Sequence, residues 1–499
     1  MLMPHDDPHP ATAHLVAATA ASIADDLAAG RTTSVALTRS LLDRIEALDA
    51  AGPVELRAVL ALSADALDQA ARLDAERAAG TVRGPLHGVP VLVKDNIEAV
   101  GLPGTAGSLA LAGRIVERDA PLVASMRDAG LVILGATNLS EWANMRSPHS
   151  ASGWSGMAGL VGNPWATDRS AGGSSSGSGA ALAAGLVPLA IGSETDGSIT
   201  CPSSLNGVTG LKPTVGLVST EGMVPLSASQ DAPGPMARRV RDVAFLLDAM
   251  TGSTQYAGSP GSRALGDLRL GVARGWLTGH PGTDALFEET LGSLAAGGAT
   301  LGDVAVEPAG AAGQSELVVL LCELKDGLDR YLAARPGQGA RSLADVIAFD
   351  HENADLELAH FGHEFLELAE ATAGLDEEGY VEARAACLAW AVDEMLAPAF
   401  ASETAPDLLI APAYAPAWKS DLRTGDHVTG GGLASTAPSL AGWPVLCLPM
   451  GLVSGLPVGL VLIGRPHSEA LLLAAGHAIE DAIGVVDALH PQFDAVGRG

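Results

Sequence analysis

The run Gly88-Val89-Pro90-Val91-Leu92-Val93-Lys94-Asp95 is apolar, too short for a buried helix, and closed by charge at its far end. It reads as a strand buried on both faces. Runs of the same kind return at 131–135, 187–191, 407–411, 445–449 and 455–464. Between them lie stretches of helical period at 63–79, 121–129 and 468–483. A further one covers 11–50, broken at Gly30-Arg31-Thr32-Thr33, with Thr33 or Ser34 as the cap of its second helix. Strands alternating with helices predict an α/β fold, a central sheet under helical cover.

Residues 342–401 depart from this alternation. Helical period runs through 343–347, 357–371 and 378–398, which predicts a helical subdomain over 340–400 laid on the α/β body. Two readings of it stay open: a wall of a substrate cleft, or a scaffold and dimer surface. Its Glu357, Glu364, Glu367 and Glu370 read as a solvated face rather than as catalytic carboxylates.

The balance of charge excludes some classes of partner. Across 499 residues the net charge is −29, and such a surface repels phosphate backbones, so nucleic acid is not an expected partner. No apolar run reaches the roughly 18 residues of a membrane span. The first ten residues, MLMPHDDPHP, lack the basic start of a secretion signal, and the expected location is cytoplasmic. The cysteines Cys201, Cys322, Cys387 and Cys447 have neither metal-site nor disulfide-framework spacing. A monomer or a homodimer is expected.

Residues 147–185 are rich in Gly and Ser, a composition shared by flexible linkers. This stretch, however, leads straight into the helix former Ala180-Ala181-Leu182-Ala183-Ala184 and the strand at 187–191. An ordered loop beside a functional site is the better reading. Within it, Gly172-Gly173-Ser174-Ser175-Ser176-Gly177-Ser178-Gly179 offers close backbone approach and hydroxyls. It lacks the lysine of a phosphate-binding loop and the spacing of a dinucleotide fingerprint.

Lysine is scarce, occurring only at 94, 212, 325 and 419. Lys94 ends an apolar strand, where burial disfavours the ammonium. Moving a lysine from about 10.4 to near 7 takes roughly 4–5 kcal/mol, and the neutral amine is then a general base. A lysine snorkelling to the surface, or paired with Asp95, is the competing reading. Downstream, Gly192-Ser193-Glu194-Thr195-Asp196-Gly197-Ser198 follows a strand. Such a turn can project a hydroxyl and aim successive N–H groups at one point, the layout of a nucleophile with an oxyanion hole. It is not the Gly-x-Ser-x-Gly elbow, and none of the 13 histidines has a triad context.

Together these segments resemble the amidase signature family of serine hydrolases. The resemblance rests on Lys94 in Gly88-Val89-Pro90-x-x-x-Lys94-Asp95-Asn96, on the Gly-Gly-Ser-Ser-Ser-Gly-Ser loop, and on Ser198, 24 residues after Ser174. It extends through 138–144, 207–214, 234–236, 455–459 and 469–472, nearly the whole chain. It implies one amidase signature domain over 1–499, with a central mixed sheet, a catalytic core at 80–240 and a helical insertion. It also implies Ser198 as nucleophile, Ser174 as a bridging serine after a cis peptide bond, and Lys94 as base. The backbone N–H groups of Thr195, Asp196, Gly197 and Ser198 are the implied oxyanion donors. Asn144, Met145, Gly172, Gly173 and Cys201 are the implied substrate contacts, and no metal or organic cofactor is implied.

Three local features bear on substrate. Asp196 stands where many members have glycine, and Glu-Thr-Asp-Gly-Ser-Ile is similar to a bacterial peptide-amidase-like branch. Thr200 and Cys201 occupy positions where amidotransferase subunits and enzymes of small carboxylates tend to carry arginine. Met157-Ala158-Gly159-Leu160 is more apolar than in that branch, which favours an apolar or aromatic substrate unless the loop only packs. The expectation is hydrolysis of small-molecule amides of broad, apolar or aryl character, extending to carbamates and esters. The alternatives are a peptide amidase and, disfavoured, a glutaminase component of a tRNA-dependent amidotransferase.

Overall fold

The computed structural model describes residues 15, 17–50, 55–113, 116–308, 310, 312–335 and 339–491. The expected N-terminal helical stretch falls partly outside these residues, at 11–14 and 16. Its described part is two helices, α1 (Ala20–Ala28) and α2 (Ser34–Ile45). Thr33 caps α2, its side chain accepting the N–H of Ala36.

An 11-stranded sheet forms the centre. Its strands are β1 (Val59–Leu62), β2 (Pro90–Lys94), β3 (Val132–Thr137), β4 (Leu189–Glu194), β5 (Thr209–Lys212) and β6 (Ala232–Ala237). The second half adds β7 (Arg269–Val272), β8 (Thr300–Asp303), β9 (Leu408–Pro412), β10 (Val445–Val453) and β11 (Leu456–Ile463). The spatial order is β1-β3-β2-β4-β6-β5-β10-β11-β9-β7-β8. The sheet is mixed. β3, β2 and β4 run parallel to one another, as do β9, β7 and β8, while the other pairs are antiparallel. Every residue of β2, β3 and β4 is buried, the apolar run of each as expected and the polar residues at their carboxyl ends with it.

β6 lies in the middle of the sheet although Ala232-Pro233-Gly234-Pro235-Met236-Ala237 reads as a chain breaker. All six of its residues are in register with β4, but only Met236 and Ala237 pair with β5. The prolines thus sit where one side of the strand makes no ladder, which suits residues that cannot donate.

The helical layer is larger than the sequence suggests. It starts with α3 (Ala312–Ala334), before residue 340, and continues through α4 (Leu343–Glu352), α5 (Ala354–Glu357), α6 (Glu364–Glu370) and α7 (Tyr380–Leu388). The helix expected at 357–371 is broken. Residues 358–363 leave helical geometry so that His360 and Phe361 set their rings edge-on against Trp154, at 5.8 and 4.9 Å. Among the described residues no helix is long and apolar enough to cross a membrane.

Candidate active site

Parallel pairing brings the first two groups together. Val93 is in register with Ile191, so the carboxyl ends of β2 and β4 emerge side by side, and the Lys94 side chain reaches Ser193. Loops at the carboxyl edge of parallel strands are where α/β folds build sites. The lysine is fully buried, and its Nζ donates to Ser174 Oγ (2.8 Å), Ser193 Oγ (2.9 Å) and Ser193 O (3.3 Å). Burial pushes its pKa down to about 7, against the opposing pull of Asp231 and Glu194. Asp95 is not its partner: that carboxylate accepts the N–H groups of Gly104 and Thr105 and the Thr105 hydroxyl.

The Gly-Ser loop is ordered by hydrogen bonds to its surroundings. Ser174 O accepts the Ser140 N–H (3.0 Å), and Ser175 Oγ bridges the N–H and C=O of Ser193, both at 3.1 Å. The peptide bond between Gly173 and Ser174 is cis. A Cβ at Gly173 would lie 2.3 Å from Ser140 Oγ, so the close approach needs glycine here. A second link ties this loop to the turn after β4, where the Ser175 N–H donates to Ser198 O at 3.1 Å.

That turn presents Ser198 to a cleft. Among the described residues the N–H groups of Thr195, Asp196, Gly197 and Ser198 have no hydrogen-bond partner. The following two are taken: Glu194 accepts from Ile199 (2.6 Å) and Thr200 (2.8 Å), which fixes the start of the helix Thr200–Asn206. Gly197 has φ +78°, and a Cβ there would lie 2.6 Å from Tyr414 Oη. The Thr195 hydroxyl donates to buried Asp231 at 2.6 Å, and the Ser435 hydroxyl donates to Asp196 at 2.7 Å. Burial raises the pKa of both carboxyls.

The cleft encloses about 280 Å³. Asn144, Met145, Gly173, Thr195, Asp196, Gly197, Ser198 and Cys201 line it, whereas Gly172 lies behind Cys201, with its Cβ direction toward the Cys201 sulfur. The apolar loop Met157–Leu160 does not line it. That loop forms a half-buried hairpin whose backbone is hydrogen-bonded to Gly107 and Asn138. The apolar lining comes instead from Met145, Leu226, Leu320, Trp418 and Val428. The helical layer reaches the cleft through Leu320, on α3, and residues 340–400 stand behind it. No lysine, arginine or histidine is among the lining residues, and its two carboxylates are Asp196 and Asp426.

Asp426 belongs to the glycine-rich segment at 425–432. It accepts from Ser152 N–H (3.1 Å), Ser152 Oγ (2.5 Å) and Trp418 Nε1 (2.9 Å), tying that segment over the cleft. Tyr414, Trp418 and Leu226 carried no sequence signal, since each is one residue in a loop whose path only the fold supplies.

The wall at Ala143–Met145 has an unusual backbone. Trp142, Ala143 and Asn144 have φ of +50°, +54° and +74°, which costs about 1–2 kcal/mol for each such residue. Asn144 Oδ1 is buried without a partner. Both ends of the turn are clamped. Buried Arg146 donates to Glu141, to Glu357 Oε2 (3.0 Å) and to the Glu357 carbonyl, and its guanidinium lies 5.0 Å from the Trp154 ring centroid. Glu357 is therefore not part of a solvated face. It is fully buried, and its other oxygen accepts the Leu109 N–H at 2.7 Å.

Comparison with known proteins extends over most of the chain. The family profile described as Amidase matches residues 36–473. A crystal structure of native peptide amidase from Stenotrophomonas maltophilia is 43% identical, covering 93% of this chain and 97% of that one, with a TM-score of 0.86. A probable amidase of Arabidopsis thaliana is 36% identical over 463 residues, 88% of this chain and 85% of the relative. A glutamyl-tRNA(Gln) amidotransferase component from Symbiobacterium thermophilum is 34% identical over 474 residues, 91% of this chain and 94% of the relative.

Proposed function

The chain belongs to the amidase family of amide-hydrolysing serine enzymes, and on that premise we propose that Ser198, Ser174 and Lys94 are its nucleophile, relay and base. The observation that carries the assignment is the wholly buried 2.8 Å hydrogen bond from Lys94 Nζ to Ser174 Oγ, on a lysine whose pKa burial lowers to about 7. Neutral Lys94 takes the Ser174 proton as Ser174 takes that of Ser198. The Ser198 oxygen then attacks the carbonyl carbon. The unpartnered N–H groups at 195–198 supply the hydrogen bonds that a developing oxyanion needs. Lys94 returns its proton through Ser174 to the leaving nitrogen as the C–N bond breaks. Water, activated by the same relay, hydrolyses the acyl-enzyme and regenerates Ser198.

The chain acts as one amidase domain in this reading. Residues 80–240 supply all three groups, and residues 340–400 back the cleft wall through Glu357. Its substrate is a neutral carboxamide with an apolar or aryl portion, carbamates and esters being open to the same acyl transfer. A lining without cations but with Met145, Leu226, Leu320, Trp418 and Val428 supports that choice. A second reading, hydrolysis of peptide C-terminal amides, is favoured by the 43% identical peptide amidase. The comparison that decides is turnover of a peptide amide, an aryl anilide and an aryl carbamate, with free glutamine as a fourth substrate. Faster aromatic amine release supports the first reading, and dominant ammonia release from the peptide amide supports the second. Efficient glutamine hydrolysis would overturn both and point to an activity like that of the amidotransferase relative.

A further inference from the structure

Away from the cleft, His351 at the end of α4, His363 just before α6 and Glu367 within it converge on one point. Their donor atoms all lie within 4.8 Å of one another. The Nε2 atoms of both histidines are 3.7 Å from Glu367 Oε1. Tetrahedral zinc with ligands at about 2.0–2.1 Å sets them roughly 3.3 Å apart, so each histidine needs a few tenths of an ångström of closure on Glu367, and the two histidines up to about 1.5 Å on each other. His351 and Glu367 are on exposed side chains and free to make that movement.

His363 gives the cluster its direction. The residue is only 3% exposed, and its Nε2 is buried without a hydrogen-bond partner. Its other ring nitrogen, Nδ1, faces Asp350 Oδ2 at 2.8 Å. With the proton on Nδ1 and shared with Asp350, the bare Nε2 lies 3.7 Å from Glu367 Oε1, and neither of these two atoms has a proton to offer the other. A carboxylate behind one nitrogen and a bare lone pair on the other is the outer support that metal-ligating histidines have. The surroundings add negative charge: Asp350, Glu357 and Glu141 are buried around the single guanidinium of Arg146.

We propose that His351, His363 and Glu367 bind one transition-metal dication, of which Zn²⁺ is the representative, as a structural site of the helical layer. Two imidazoles and one carboxylate suit Zn²⁺, Ni²⁺ or Cu²⁺ rather than Mg²⁺ or Ca²⁺. None of the three residues lines the cleft, so the ion takes no part in the acyl transfer. It ties α4 to α6, and through the Arg146 N–H contacts and the Phe365 N–H bond to Arg146 O (3.0 Å) it stiffens the base of the cleft wall.

The test is Zn²⁺ binding by tag-free protein stripped with EDTA and exchanged into chelator-free buffer. Calorimetric titration and the thermal unfolding midpoint are read for the wild type, His351→Ala and Glu367→Gln. Both substitutions fall on exposed side chains outside the cleft, so folding and amide turnover are retained. The wild type is expected to take up one Zn²⁺ per chain and unfold at a higher temperature with it. Each variant should bind at least about tenfold more weakly and lose the thermal shift, and Mg²⁺ should do neither. Absence of one-to-one uptake by the wild type would overturn the proposal. So would equal uptake by the variants, which would direct attention to the only other such group among the described residues, His477, Glu480 and Asp481.

Discussion

Lys94 sits where its charge is least welcome, and that determines how activity depends on pH. Burial lowers its pKa from 10.5 to about 7. In the proposed relay the amine must be neutral to take the Ser174 proton, so the active form is the one above that pKa. kcat/KM for a neutral amide should therefore rise tenfold per pH unit below about 7 and level off above it. A flat profile from pH 6 to 9 would remove Lys94 from the role of base. The three residues proposed for the relay were marked in the sequence by the family resemblance, while residue type alone left Lys94 open between a base and a snorkelling or Asp95-paired lysine. What keeps Lys94 from pairing with its neighbour was not legible. Asp95 is occupied by the backbone at 104 and 105, a contact that depends on the path of a loop.

Among the elements, the left-handed turn at 142–144 depends on its clamp. Glu357 reaches Arg146 from a helix 211 residues away in the chain. Glu357→Gln leaves a buried guanidinium with one carboxylate in place of two. It should destabilise the protein by about 3–5 kcal/mol, the range for breaking a buried pair, and should raise KM as Asn144 and Met145 shift. A thermal unfolding midpoint unchanged from the wild type would show that the turn holds without the clamp. This residue also marks where the sequence reading failed. Glu357 has the same helical spacing as exposed Glu367, but the chain leaves the helix at 358–363 to pack His360 and Phe361 on Trp154, and the spacing then means nothing. β2, β3 and β4 were readable from their apolar runs, whereas β1 and β5 were not marked. β6 was not, because proline and glycine hide a strand whose ladder is complete on one side only.

At the scale of the whole molecule, the sheet is the device that assembles the chemistry. Lys94, Ser174 and Ser198 lie on three segments, and the parallel register of β2 with β4 brings their ends to one edge. The α/β class could be read from the sequence because alternation is local, and motif spacing supplied the residues proposed for the relay. Most of the apolar wall of the cleft could not be read, since Leu226, Leu320 and the pair Trp418 and Val428 come from three distant parts of the chain, and only Met145 was among the contacts the resemblance implied. The central claim is that Ser198 is the nucleophile on which all this converges. The direct measurement is kcat/KM of Ser198→Ala against the wild type on the best amide substrate, with folding checked by the thermal unfolding midpoint. The expected result is a folded protein that has lost at least about three orders of magnitude of activity. A folded variant within tenfold of the wild type would contradict it and place the nucleophile elsewhere.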